Sequence, residues 1–298
     1  MLGLKTDSVR AVDGVSLNVE KGETLGLVGE SGCGKSTLAK CIMGLESVTN
    51  GEIIFRNKSI TTWDEKELRR RMQMVFQDPY SSLNPRQKIG SIIREGLDIH
   101  SIGTKEERKE KVDDLLGLVG LRPEHAARYP HEFSGGQRQR VAVARTLALD
   151  PQLIVCDEPV SALDVSVQAQ VLGMLKDLQA RFNLTYVFIS HDLSVVSHIC
   201  DQVAVMYLGR IMELASSETL FASPKHPYTE ALLSAVLPPD PDNQPERIAL
   251  TGELPSPMNP PSGCPFHPRC PKAFDKCSKG RPELMEIEPG CKVACWLY

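Results

Sequence analysis

Apolar positions in this chain fall into two rhythms. Short continuous runs occur at Leu25–Val28, Leu153–Cys156 and Thr185–Ile189. Runs of that length predict strands buried on both faces of a parallel sheet. Residues 15–28 read as two short strands around the turn Lys21-Gly22-Glu23. Residues 52–56 and 72–76 add strands, and 202–214 two more. Between them, apolar positions recur at helical spacing: Lys35 to about Met43, most of 86–149, 166–181 and 194–199. Strands alternating with helices predict an α/β fold with a mainly parallel sheet. The helical stretch from about 78 to 150 interrupts the alternation and predicts a helical subdomain. Around Pro238 the chain turns proline-rich (Pro238-Pro239-Asp240-Pro241, then Pro255 to Pro261), as in a linker. This divides the chain into a main domain at 1–236 and an extension at 237–298.

Composition narrows the function classes. With 298 residues, 41% of them hydrophobic, there is material for one large domain and an appendage. The net charge of −4 argues against a nucleic-acid partner. No apolar run is long enough to span a bilayer, and MLGLKTDSVR has no signal-peptide core. The expectation is a soluble, cytoplasmic protein that reaches a membrane only through other chains. Of nine cysteines, five crowd the end: Cys264, Cys270, Cys277, Cys291 and Cys295. In a reducing compartment such crowding suggests metal ligation rather than disulfides.

The chemistry concentrates at Gly29-Glu30-Ser31-Gly32-Cys33-Gly34-Lys35-Ser36, which matches G-x-x-x-x-G-K-[ST] between a predicted strand and a predicted helix. Glycines let backbone N–H groups converge on phosphate oxygens, and the helix N-terminus adds partial positive charge. Lys35 suits the β- and γ-phosphates, Ser36 a Mg²⁺ ion, and Thr37 the α-phosphate. Downstream, Asp157-Glu158 closes an apolar strand. One carboxylate for Mg²⁺ and one to polarise the attacking water are sufficient for phosphoryl transfer to water.

Ser134-Gly135-Gly136-Gln137-Arg138-Gln139-Arg140, upstream of Asp157-Glu158, resembles the signature motif of the ABC transporter ATPases. The resemblance implies a P-loop NTPase core sheet with a helical subdomain. It also implies a head-to-tail dimer in which Ser134, Gly135, Gly136 and Gln137 of one copy cap the γ-phosphate held by the other. Gln77 then resembles the Q-loop glutamine, sensing Mg²⁺ and water. Asp164, in Ser161-Ala162-Leu163-Asp164, resembles the D-loop aspartate at the dimer interface, and His191 the switch histidine beside Glu158. The front departs from the family: the first aromatic is Phe55, so the usual first strand and adenine-stacking ring are not found, and a missing N-terminal segment is the expectation.

Gln77–Arg86, His226-Pro227-Tyr228-Thr229 and Gly252–Pro257 leading into Cys264 resemble the oligopeptide and dipeptide importers of that family, of the second-ATPase type. The resemblance implies an ATPase on the cytoplasmic face of the inner membrane. Its partners would be a second ATPase subunit (or a second copy of itself), two permease subunits and, indirectly, an extracytoplasmic solute-binding protein. It also implies a [4Fe–4S] cluster on Cys264, Cys270, Cys277 and Cys295. Zinc and free thiols are the alternatives, and Cys291 is either spare or a competing ligand. A nickel or other small-solute importer is the neighbouring function. A soluble non-transport ABC ATPase fits less well, because the chain has one phosphate loop, modest size and an acidic balance. A module that binds ATP without turnover also fits less well, because Glu158 and His191 are both present.

Overall fold

The computed structural model describes residues 9–235, 248, 250, 252, 253 and 255–298. The Pro238–Pro241 linker and the expected gap at the N-terminus lie outside the described residues. In chain order the elements are β1 (Thr24–Val28), α1 (Lys35–Ile42), β2 (Ile54–Phe55), β3 (Lys58–Ser59), α2 (Glu65–Arg71), β4 (Met72–Val75), α3 (Pro79–Ser82), α4 (Ile89–Ile99), α5 (Lys105–Leu118), α6 (Gly135–Leu147), β5 (Leu153–Asp157), α7 (Val165–Phe182) and β6 (Thr185–Ile189). They continue with α8 (Leu193–Ile199), β7 (Gln202–Tyr207), β8 (Arg210–Ser216), α9 (Ser217–Ala222), α10 (Pro227–Ser234), α11 (Asp275–Lys279), β9 (Met285–Glu288) and β10 (Cys291–Val293).

Two compact units share the chain. One comprises residues 1–18, 25–38 and 190–298; the other comprises 19–24 and 39–189. In the second unit, β4, β5 and β6 lie side by side and parallel, Met72 opposite Leu153 and Leu153 opposite Thr185. These are the short apolar runs, and Ile154, Val155, Cys156, Phe188 and Ile189 are buried. Helices α3 to α6 occupy the stretch expected to be helical. Thr104 opens α5 with a reciprocal capping box to Glu107, which satisfies two backbone donors at once.

In the other unit the strand order is β1-β7-β8-β10-β9. β1 is parallel to β7, whereas β7–β8, β8–β10 and β10–β9 are antiparallel. The arrangement is therefore mixed rather than mainly parallel. Only Leu208 and Gly209 separate β7 from β8, both with positive φ (42° and 79°), and a two-residue turn of that kind folds a strand back on its predecessor. The last residues return as β10 beside β8, so the tail is built onto the strand framework it follows. Residues 15–20 alternate between half-buried and exposed, as a strand does, but form none of the described strands, contrary to expectation.

Candidate nucleotide site

The phosphate loop joins β1 to α1 with the backbone conformations its sequence demands. Gly29, Gly32 and Gly34 have φ of 150°, 78° and 108°. A Cβ on Gly29 would lie 2.1 Å from the carbonyl oxygen of Met206, and one on Gly34 2.0 Å from that of Ala11. Only glycine fits at either place. The Cys33 carbonyl accepts from Gly209 N–H at 2.8 Å, tying the loop to the β7–β8 turn. Lys35 is 5% exposed, and its ammonium donates to the carbonyl oxygens of Gly29 (2.7 Å) and Glu30 (3.0 Å). A buried ammonium among the first N–H groups of a helix is a trap for a polyanion. Ser31, Gly32 and Ser36 are exposed, and Thr37 is half-buried. His191 lies in the same unit, exposed, in the turn after Ser190, whose N–H donates to Leu27 at 3.3 Å. Asp192 then caps α8 through Ser194 N–H.

In the other unit Asp157 ends β5 with 8% exposure. Glu158 follows with φ of 47°, a left-handed conformation that costs a non-glycine residue about 1–3 kcal/mol and persists where neighbours enforce it. The neighbours are visible: Glu158 N–H donates to Ile189 (3.0 Å), and Ser161 Oγ donates to the Glu158 carbonyl (3.1 Å). Gln77, just past β4, donates from Nε2 to Glu158 Oε2 at 3.0 Å. Parallel β4 and β5 thus deliver both side chains to one strand end, where open α/β sheets bind ligands.

Ser134 caps α6. Its Oγ accepts from Gln137 N–H (3.3 Å), and Gln137 Oε1 accepts from Ser134 N–H (3.0 Å). Ser134 and Gly135 are exposed and Gly136 is buried. A Cβ on Gly136 would lie 2.3 Å from Val167 Cγ1, so this glycine lets α6 approach α7. Asp164 is the N-cap residue of α7, and the turn before it is pinned by Gln168 Nε2, which donates to Val160 and Leu163.

The oxygen donors Ser36, Asp157 and Gln77 are of the hard type that Mg²⁺ takes. The tail thiols behave differently from expectation. None of the nine cysteines is in a disulfide. Cys264 N–H donates to the Cys277 carbonyl (2.8 Å), and Cys264, Cys270, Cys277 and Cys295 lie in electrostatic range of one another. Yet among the described residues no group of three or more His, Cys, Asp or Glu side chains is arranged to hold a metal ion, so the expected four-thiolate cluster finds no support there. Burial above all, with the neighbouring thiols adding to it, pushes the Cys264 thiol up to about 11. Cys291 sits apart on β10, its thiol raised by burial and by Glu213 and Glu288.

Sequence reasoning passed over Glu30. The loop residue is gripped by Arg269 and Tyr228, 239 and 198 residues away, and no local pattern announces such partners.

The glycine-built loop ahead of α1 belongs to one unit, and the acidic strand end with its glutamine and the second glycine-opened helix belong to the other. The chain matches the ABC transporter family over residues 12–161, and the oligopeptide/dipeptide transporter C-terminal region over 212–277. It belongs to the ABC transporter family, in the branch of the oligopeptide and dipeptide transport ATP-binding proteins. The oligopeptide transport ATP-binding protein AppF of Bacillus subtilis is 56% identical over 300 residues, covering 99% of this chain and 91% of its own. The dipeptide transport ATP-binding protein DppF of Haemophilus influenzae is 55% identical over 295 residues, covering 98% and 90%. Among solved structures, cbiO1 from Clostridium perfringens, part of the ABC transporter complex cbiONQ, superposes with a TM-score of 0.65 at 29% identity, over 72% of this chain and 84% of that one. The ATP-binding cassette MJ0796, solved as a dimer after hydrolysis with ADP and Pi, gives 0.62 at 30% identity, over 70% and 90%. Among the described residues no helix is long and apolar enough to cross a membrane.

Proposed function

We propose that this chain is the ATP-hydrolysing subunit of an importer of di- or oligopeptides, seated peripherally on the cytoplasmic face of the membrane. The observation that carries the reading is identity of more than half, over nearly the full length, to the peptide-transport ATP-binding proteins AppF and DppF. The match of residues 212–277 to the peptide-transporter C-terminal region supports the same branch.

In this reading the nucleotide-binding domain covers 1–236, with its helical part at about 78–150, and the extension covers 237–298. ATP lies along Gly29, Ser31, Gly32, Cys33, Gly34, Lys35, Ser36 and Thr37. Lys35 exchanges its loop carbonyl partners for β- and γ-phosphate oxygens. Ser36, Asp157 and Gln77 would hold Mg²⁺, which when bound supplies charge neutralisation at the phosphates. Glu158 orients and polarises the attacking water, Gln77 holds that carboxylate, and His191 faces the γ-phosphate. Ser134, Gly135, Gly136 and Gln137 of a partner cassette complete the site, with Asp164 at the seam. The dimeric state of MJ0796 with ADP and Pi supports the two-cassette arrangement. The partner cassette is a related ATPase or a second copy of this chain. Two permease subunits span the membrane, and an extracytoplasmic binding protein delivers the peptide.

The reading runs through no iron–sulfur cluster, because among the described residues no three tail thiols are arranged to share an ion. About four iron atoms per chain in anaerobically prepared protein would count against that omission. The test of the whole reading is transport in vesicles containing the permease pair. ATP-dependent peptide uptake should require this chain, and uptake without it, or of a different solute class only, overturns the assignment.

A further inference from the structure

Glu30 is the second residue of the phosphate loop, and its backbone and side chain are both engaged. Its N–H donates to Tyr228 Oη at 2.9 Å, and its carbonyl accepts from Lys35 Nζ at 3.0 Å. Its carboxylate is held at both oxygens by Arg269: Nη1 to Oε2 at 2.6 Å and Nη2 to Oε1 at 3.1 Å. The Arg269 side chain is only 7% exposed, and its guanidinium lies 6.0 Å from the centre of the Tyr207 ring. Behind it Phe266 packs edge-on against Tyr207 (centroids 5.4 Å apart) and tilted against Tyr228 (5.2 Å). Tyr228, Phe266 and Arg269 all fall within the region matched to the peptide-transporter C-terminal family.

A carboxylate in a loop that must receive a triphosphate is an electrostatic liability, felt more strongly where protein excludes water. A two-pronged guanidinium both cancels that charge and fixes its direction. We propose that Arg269 is a positioning residue for the phosphate loop: acting through Glu30, it neutralises the loop's own carboxylate and fixes the loop's shape, so that the C-terminal region sets nucleotide affinity. This rests on the reading of Gly29–Thr37 as the ATP site. It gives the tail a part in nucleotide binding that none of the sequence motifs assigns to it.

The experiment uses the full chain and measures steady-state ATP hydrolysis, equilibrium binding of a non-hydrolysable ATP analogue, and thermal midpoint. The variants are Arg269→Ala, Glu30→Ala, the double variant, Arg269→Lys, and Lys35→Ala as reference. Arg269→Ala is expected to raise the KM and the analogue Kd about tenfold at low salt, with kcat within about twofold, because one uncompensated charge acts on a nearby polyanion and salt screens it. Removing Glu30 as well should return both constants to within about twofold of the parent. Arg269→Lys, which keeps the charge and loses the fork, should fall between. An Arg269→Ala variant with parental KM overturns the inference, as does a double variant no better than the single, which would make Arg269 a packing residue. If Arg269→Ala does not fold, Arg269→Gln with and without Glu30→Gln is read in the same way. Loss of binding in Lys35→Ala alongside an unchanged Arg269→Ala sinks this inference only. A Lys35→Ala variant that binds and hydrolyses normally sinks the ATP-site reading itself.

Discussion

Gln77 Nε2 and Glu158 Oε2 meet at 3.0 Å, although 81 residues separate them in the chain. Their meeting follows from the parallel pairing of β4 with β5, which carries both residues out at the same strand end. The hydrogen bond directs one carboxylate oxygen of Glu158 toward the amide, while a left-handed backbone conformation at Glu158 fixes where that carboxylate emerges.

Glu158→Gln is expected to keep the shape of this contact while removing the base. Hydrolysis should fall by roughly a hundredfold or more, the usual contribution of a positioned general base. Nucleotide should still bind, and an ATP-loaded dimer should accumulate on size exclusion. Phosphate release at the parental rate would remove Glu158 from its assigned role.

Lys35→Ala takes away the buried ammonium that now donates to Gly29 and Glu30. Nucleotide binding and hydrolysis should both be lost, while the thermal midpoint changes little, since the loop glycines and the Cys33–Gly209 hydrogen bond remain. Turnover close to the parental value in a steady-state assay would contradict the loop's role.

Gly136→Ala places a methyl group 2.3 Å from Val167 Cγ1. Valine is stiff at χ1 and yields poorly, so α6 must move away from α7 at a cost of about 1–3 kcal/mol. The thermal midpoint should drop, and Val167→Ala in the same chain should recover part of the loss. If the two substitutions simply add, measured as a double-mutant cycle, the close approach is not what the glycine serves.

His226 governs part of the acid response. Its Nδ1 accepts from Tyr228 N–H at 3.0 Å, and burial depresses its imidazole to about 3. The folded chain therefore keeps His226 neutral where the unfolded chain, with a value of about 6.5, takes up a proton. The stability it contributes is complete above about pH 6.5 and declines as pH falls toward 3, by up to about 1.4 kcal/mol per pH unit. Glu213, which accepts from Lys225 N–H and His226 N–H, works in the opposite sense. Burial raises its carboxyl, so its contribution is present below about 4.5 and declines as pH rises through its folded value. His226→Asn retains an acceptor for Tyr228 N–H, and its midpoint should vary less between pH 7 and pH 5 than the parent's. Parallel curves for the two proteins would exclude the histidine as the source.

The phosphate loop, the helix that follows it, the acidic strand end and the signature helix were legible in the sequence because each is a local device. Glycines at fixed spacing, a short apolar run and a serine three residues ahead of a glutamine act on neighbouring backbone. Strand β6 and helices α1, α7 and α8 fall within a residue or two of the periodicity-based expectation. The antiparallel half of the strand framework was not legible, because it depends on a two-residue turn and on β10 returning from the far end of the chain to β8. The four-thiolate cluster implied by the resemblance of the tail finds no support among the described residues, since a motif says nothing about burial or about whether thiols converge.

By itself the sequence determined where the glycine-built turns fall and which residues carry the charge, since those properties reside in the residues themselves. Only the tertiary structure decided that Glu30 would be answered by Arg269 and Gln77 would reach Glu158. Such pairings depend on which strands become neighbours, and that is settled by burying apolar faces across the whole fold rather than by any one segment.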